Sequence, residues 1–162
     1  MEDIGTPQWL LPGSQPGECF IGLIGGASIF MGESRHMCVC FCEQNKTFVV
    51  EALPASLAEI GAIGGFDLVI DLVNAYGGKR IYLPTRATRF FDMTGLDVPP
   101  TVYEHWRDIA DVNGQLDIPS SWGLFLSLRR AAIRVAIARK WPPELLQATF
   151  GVSRRQLKAY QN

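Results

Sequence analysis

The chain has 162 residues, 48% of them hydrophobic and 19% charged, with 15 Lys plus Arg against 16 Asp plus Glu. A chain of this size buries about two-thirds of its unfolded surface without staples, so one or two small domains are expected; disordered, collagen-like and coiled-coil classes are excluded. The net charge of −1 is a cancellation: residues 1–120 carry 7 basic and 15 acidic side chains, whereas residues 121–162 carry 8 basic and 1 acidic.

Residues 1–18 intersperse Pro7, Pro12 and Pro16 with Gly5, Gly13 and Gly17, which predicts an irregular leader. The opening Met1-Glu2-Asp3 is acidic where a secretory signal is basic. The apolar run from Phe20 to Met31 is Gly-rich and far short of the roughly 20 residues that span a bilayer. A cytoplasmic protein with no membrane contact is therefore expected, with Cys19, Cys38, Cys40 and Cys42 as reduced thiols.

Short apolar runs at Phe20–Ile24, Ala27–Met31, Met37–Cys42 and Thr47–Val50 read as β-strands, making residues 1–52 a small β-rich part. On such a strand Cys38, Cys40 and Cys42 share one face. A flat i, i+2, i+4 row wraps poorly around a tetrahedral ion, so buried small side chains are the preferred reading over a zinc site completed by Cys19 or His36. Enzyme chemistry finds little support. His36 and His105 lack a nucleophile partner, Asp108 and Asp111 read as solvated surface, and the Gly-rich strings at residues 22–26 and 61–65 lack the G-K-[ST] ending of a phosphate loop. No catalytic residue, metal or cofactor is assigned.

Helical grammar begins at Pro54. Ser56-Leu57-Ala58-Glu59 fits a capping box, and Gly61, Gly64 and Gly65 are expected to stop that helix early. A second helix is expected from about Phe66 to Tyr76, with Leu68, Val69, Leu72, Val73 and Tyr76 on one stripe and Gly77-Gly78 as its end. Lys79 to Leu83 then reads as a strand closed by Pro84. Thr101 to Glu104 is another capping box, its helix continues through Trp106 and Ile109, and Val112 to Pro119 echoes Tyr76 to Pro84. The shared order of helix, glycine turn, strand and proline fits a degenerate duplication.

Ser120 or Ser121 caps a helix expected from about Trp122 to Lys140, whose Phe125, Leu128, Ala132, Val135 and Ala136 form an apolar stripe. Pro142-Pro143 breaks it. A short helix from Glu144 to Phe150, a stop at Gly151 and a final helix capped by Ser153 follow. These two helices fit a helix-turn-helix: Leu146, Phe150, Val152, Leu157 and Tyr160 fall where crossed helices bury side chains, and Gly151 falls where the turn needs positive φ. Gln147 stands where such crossings usually carry a small residue, so either the crossing is wider or Ala148 takes that role. The last helix would display Arg154, Arg155, Gln156 and Lys158 in the major groove, Arg suiting guanine and Gln suiting adenine, with Ser153 against a phosphate. The competing reading of the same segment is a purely structural helical hairpin.

From Leu53-Pro54-Ala55-Ser56-Leu57 through Tyr76-Gly77-Gly78-Lys79-Arg80-Ile81-Tyr82-Leu83-Pro84 to Gly151-Val152-Ser153-Arg154-Arg155, the chain resembles the Mor family of phage and prophage transcription activators, over about residues 53–162. The resemblance implies dimerisation through residues 53–84, contact with host RNA polymerase, and a strand whose Arg80 and Tyr82 approach DNA.

The expected class is α+β, mainly α in the C-terminal two-thirds. It comprises the β-rich residues 1–52, a helix-GG-strand dimerisation region at 53–119 and a helix-turn-helix DNA-binding domain at 120–162. The expected function is a homodimeric phage regulator of transcription that binds double-stranded DNA through Ser153, Arg154, Arg155, Gln156 and Lys158. Arg129, Arg130, Arg134, Arg80 and Tyr82 are expected to assist. The alternative is a phage-encoded inhibitor of a host defence system, whose acidic N-terminal body mimics phosphate and occupies a basic site on a host protein.

Overall fold

The computed structural model describes residue 30 and residues 32–161. The helices are α1 (Gly32–Gln44), α2 (Lys46–Ala52), α3 (Ala55–Gly64), α4 (Phe66–Tyr76), α5 (Ala87–Thr94), α6 (Pro100–Ile109), α7 (Ser121–Ala138), α8 (Pro143–Phe150) and α9 (Arg154–Gln161). Two short strands, β1 (Arg80–Tyr82) and β2 (Gln115–Asp117), complete the described fold. It is α+β and mostly helical.

The N-terminal strands expected at Met37–Cys42 and Thr47–Val50 are instead helical, within α1 and α2. Cys38, Phe41, Cys42, Asn45, Val49, Ala52 and Leu53 are all buried, and their spacing follows helical rows across both helices. An i, i+4 pair such as Cys38 and Cys42 satisfies period 2 and period 3.6 alike, so alternation misleads where Phe41 decides. Asn45 joins the helices, its Nδ2 donating to the Phe41 carbonyl at 3.0 Å. Cys38 and Cys42 are free and buried; the hydrogen bond that the Cys42 thiol makes to Cys38, and then burial, push that thiol well up. Cys40 is disulfide-bonded, which corrects the expectation of reduced thiols throughout. The leader at 1–18, Cys19, and the strands expected at 20–24 and 27–31 lie outside the described residues, save for the buried Phe30.

The helix beginning after Pro54 runs through Gly61 to Gly64. It tolerates Gly61 because a Cβ there would lie 3.0 Å from the Phe66 ring, so the close approach of α3 and α4 needs the missing side chain. Neither expected capping box forms: α3 and α6 have Pro54 and Pro99 at their N-caps and no side-chain cap bond. Ser56 is buried, and its carbonyl accepts from Trp106 Nε1 at 2.8 Å, which ties α6 to α3. Trp106 is completely buried and meets Phe90 edge-on at 6.0 Å. Phe90 is the one buried residue of α5, a short helix that no expectation covered.

The two echoing segments pair with each other. β1 and β2 are antiparallel with Arg80 opposite Asp117, Ile81 opposite Leu116 and Tyr82 opposite Gln115. Ile81 and Leu116, at the centre, are the buried pair, and Pro84 and Pro119 each follow three residues later. Arg107 Nη1 donates to the Leu83 carbonyl at 2.8 Å and the Tyr103 hydroxyl donates to that of Pro84, so α6 holds the ribbon.

α7 is the spine. Ser120 Oγ accepts from Gly123 N at 3.1 Å, the N-cap expected there. Phe125, Leu128, Ala132, Val135 and Ala136 are all buried as expected, joined by Ala131 and Ser127. α2 packs along this face, so one core runs across the boundaries expected at 52/53 and 119/120. α7 ends in a Schellman-type turn: Trp141 N donates to the Ala136 carbonyl at 3.1 Å, which places Lys140 at φ 60. A side chain in the left-handed region costs about 1 kcal/mol relative to glycine. Lys140→Gly is therefore expected to raise stability by roughly 0.5–1 kcal/mol, read as a higher urea midpoint at unchanged m-value.

Candidate nucleic-acid interface

The final two helices are organised by a short turn. Gly151 sits at φ 65 and donates its N–H to the Gln147 carbonyl at 2.9 Å, closing α8; Val152 turns inward and Ser153 begins α9. Leu146, Phe150, Val152 and Leu157 are buried and Tyr160 is half-buried, so all five residues expected at the crossing contribute to it. Trp141 stacks on Phe150 with ring centroids 6.5 Å apart, and both α8 and α9 rest on α7.

Gln147 occupies the crossing itself. Ala148 is exposed, so it does not take the small-residue role. The Gln147 Nε2 is buried and meets no acceptor among the described residues. A buried amide donor left unpaired costs about 1–3 kcal/mol, which offsets what its methylenes gain by packing.

The ten residues expected to meet DNA separate into distinct groups. Arg154, Arg155 and Lys158 are exposed on α9 with no partner among the described residues. Ser153 and Gln156 form a capping box of their own: Gln156 N donates to Ser153 Oγ at 3.2 Å, and Ser153 N donates to Gln156 Oε1 at 2.8 Å. The Gln156 amide oxygen is thus already engaged, and bidentate reading of adenine would require breaking that bond.

Arg129 and Arg130 are adjacent on α7 and serve two different helices. Arg129 Nη2 donates to the carbonyl of Phe150, the last residue of α8, and Arg130 Nη2 donates to that of Ala52, the last residue of α2, at 3.3 Å. Each cation meets a helix C-terminus, where orphan carbonyls and the helix dipole both favour positive charge. Arg134 is half-buried and lines a cleft between α2, α7 and α9.

Arg80 lies remote from α9 in the chain and is neutralised in place. Its Nε donates to Asp117 Oδ1 at 2.7 Å, and its Nη1 lies 3.6 Å from Asp111 Oδ2. The hydrogen bond to Asp117 and the charges of Asp117 and Asp111 raise its pKa further. Tyr82 is 54% exposed on the same ribbon. Two carboxylates beside this guanidinium offset its charge and repel a phosphate.

Asp67, Asp71 and Arg35 form another ion-pair group, at 3.3 and 2.8 Å, and His105 Nδ1 lies 3.6 Å from Glu59. No group of three or more His, Cys, Asp or Glu able to hold a metal occurs among the described residues. No helix among them is long and apolar enough to cross a membrane. No protein-family model, curated protein or solved structure matches the chain.

Two substitutions test this arrangement. Arg129→Ala should destabilise the fold by about 2 kcal/mol, the loss of a charge-assisted bond to a partly buried carbonyl. Gln147→Ala should be neutral or stabilise by up to about 1 kcal/mol, because the unpaired donor leaves with the side chain. Chemical denaturation of both variants checks the pair, and a large loss for Gln147→Ala would mean that its amide is satisfied.

Proposed function

We propose that the protein is a DNA-binding regulator in which α8, the Gly151 turn and α9 act as a helix-turn-helix and α9 is the reading helix. The observation that carries this reading is the outward face of α9. Arg154, Arg155 and Lys158 stand exposed beside a capped helix N-terminus, while Leu157 and Tyr160 turn inward to fix the helix on its support. A helix N-terminus carrying cations favours phosphate, and the Arg fork suits guanine in the major groove. The direct contacts are assigned to Ser153, Arg154, Arg155 and Lys158, with Arg129 holding the turn rather than touching DNA. The similarity to Mor-type activators gives transcription activation at phage promoters, with host RNA polymerase as a partner, as the biological setting of this reading. β1 pairs with β2 of the same chain through one of its two edges, and a homodimer through residues 53–84 belongs to the same proposal.

Three phosphate-neutralising cations give a slope of log affinity on log salt of about −2.7, a loss of roughly 40-fold between 50 and 200 mM salt. Fluorescence anisotropy on a labelled 20-base-pair duplex should read that slope for the full chain. The combined Arg154→Ala, Arg155→Ala and Lys158→Ala variant should lose binding while keeping its thermal transition. Equal affinity of variant and parent for the duplex would refute the assignment.

The acidic-mimic reading has its own support in Asp92, Asp97, Glu104 and Asp108, all exposed and without ion pairs among the described residues. Neutralising these four to Asn or Gln should leave duplex affinity unchanged or slightly higher if α9 is the working surface, since they only repel phosphate at a distance.

A further inference from the structure

The cleft between α2, α7 and α9 has no part in the DNA-reading assignment. It encloses about 440 Å³, and Phe48, Glu51, Arg134, Ile137 and Tyr160 are among the residues lining it. At roughly 30 Å³ per water molecule that is space for about 15 waters, or a ligand of about 15–20 non-hydrogen atoms, within the ~300–1,000 Å³ typical of small-molecule sites.

Its walls present polar and apolar surface in about equal parts, with one charge of each sign. Phe48, Ile137 and the Tyr160 ring are half-buried and supply the apolar surface. Arg134 projects from α7 about one turn before its C-terminal end. Its neighbours Arg129 and Arg130 are committed to helix-end carbonyls, yet Arg134 has neither a hydrogen bond nor an ion pair among the described residues. Glu51, on the last turn of α2, is likewise unpaired, and the two do not close on each other although they face the same space. Both charges are therefore open to a partner of opposite sign. A simple anion would satisfy Arg134 and be repelled by Glu51; a simple cation would do the reverse.

We infer that this cleft binds a small zwitterion with an apolar body, of the size and chemistry of an apolar dipeptide. Its carboxylate lies on Arg134, its ammonium group on Glu51, and its side chains against Phe48, Ile137 and Tyr160. Binding itself is independent of what α9 does. Its consequence rests on the DNA-reading proposal: Tyr160 belongs to α9, so an occupant braces that helix against α2 and links ligand occupancy to DNA affinity by one reciprocal factor.

Calorimetry on the full chain with L-leucyl-L-phenylalanine, its N-acetyl form and its C-terminal amide tests the site. The free dipeptide should bind, and each blocked form should bind at least tenfold more weakly. Arg134→Gln should abolish the distinction between acid and amide while keeping that between free and acetylated amine; Glu51→Gln should do the opposite. Both side chains make no contacts that hold the fold, and an unchanged thermal transition confirms this for each variant. No binding heat at several millimolar, equal affinity for all three forms, or charge discrimination that survives Arg134→Gln would overturn the inference. Repeating the titration with duplex present separates the two claims: dipeptide binding without duplex binding removes the DNA reading and leaves the cleft standing.

Discussion

The close packing of α2 on α7 is the constraint on which the rest depends. Small side chains are present on both helices: Ala52 on α2, and Ser127, Ala131, Ala132 and Ala136 on α7, are all buried. Small residues let two helix backbones approach, and an interior at native density has no slack to accept a larger side chain there without displacing one helix. α2 thereby brings the N-terminal helices into the same core as α7, with a void of only about 10 Å³ where Cys42, Leu53, Phe66 and Leu128 converge. α8 and α9 rest on α7 as well, and α9 shares a cleft with α2, so the packing of α2 on the spine bears directly on where the basic helix sits.

That geometry changes the meaning of the charge. The eight cations of the last quarter are not one field directed outward. Arg129 and Arg130 bind the ends of two helices, and Arg134 faces the cleft. Arg139 and Lys140 stand at the end of α7, and Arg154, Arg155 and Lys158 are displayed on α9, so the charge is divided among separate places rather than gathered on one surface. In the acidic part, Arg80 and Arg35 each bridge two carboxylates, so much of the local negative charge is compensated too.

Features with a local cause were legible in the sequence. The Gly151 turn needs positive φ, Ser120 caps α7 through an N–H three residues on, and the stripe of α7 repeats at helical spacing; each depends on neighbours within a few residues. The failures have physical reasons of the same kind. Prolines at the helix starts displaced the expected caps at Ser56 and Thr101, while a true capping box formed from Ser153 and Gln156, a residue whose amide read equally well as a base contact. Arg80 looked available because its partner, Asp117, stands 37 residues away and meets it only when β1 and β2 pair. The cysteine alternation mimicked a strand because its outer pair also fits a helix, and α5, only eight residues long, buries a single side chain, Phe90.

The central claim is that α9, positioned by α7, is the surface that meets nucleic acid. Amide chemical-shift mapping of the full chain against a 20-base-pair duplex tests it residue by residue. Perturbations concentrated on Ser153 to Lys158, with Arg80 to Tyr82 silent, are the predicted result. Perturbations centred on the β1–β2 ribbon or on α5 and α6, or none at any duplex concentration, would contradict it.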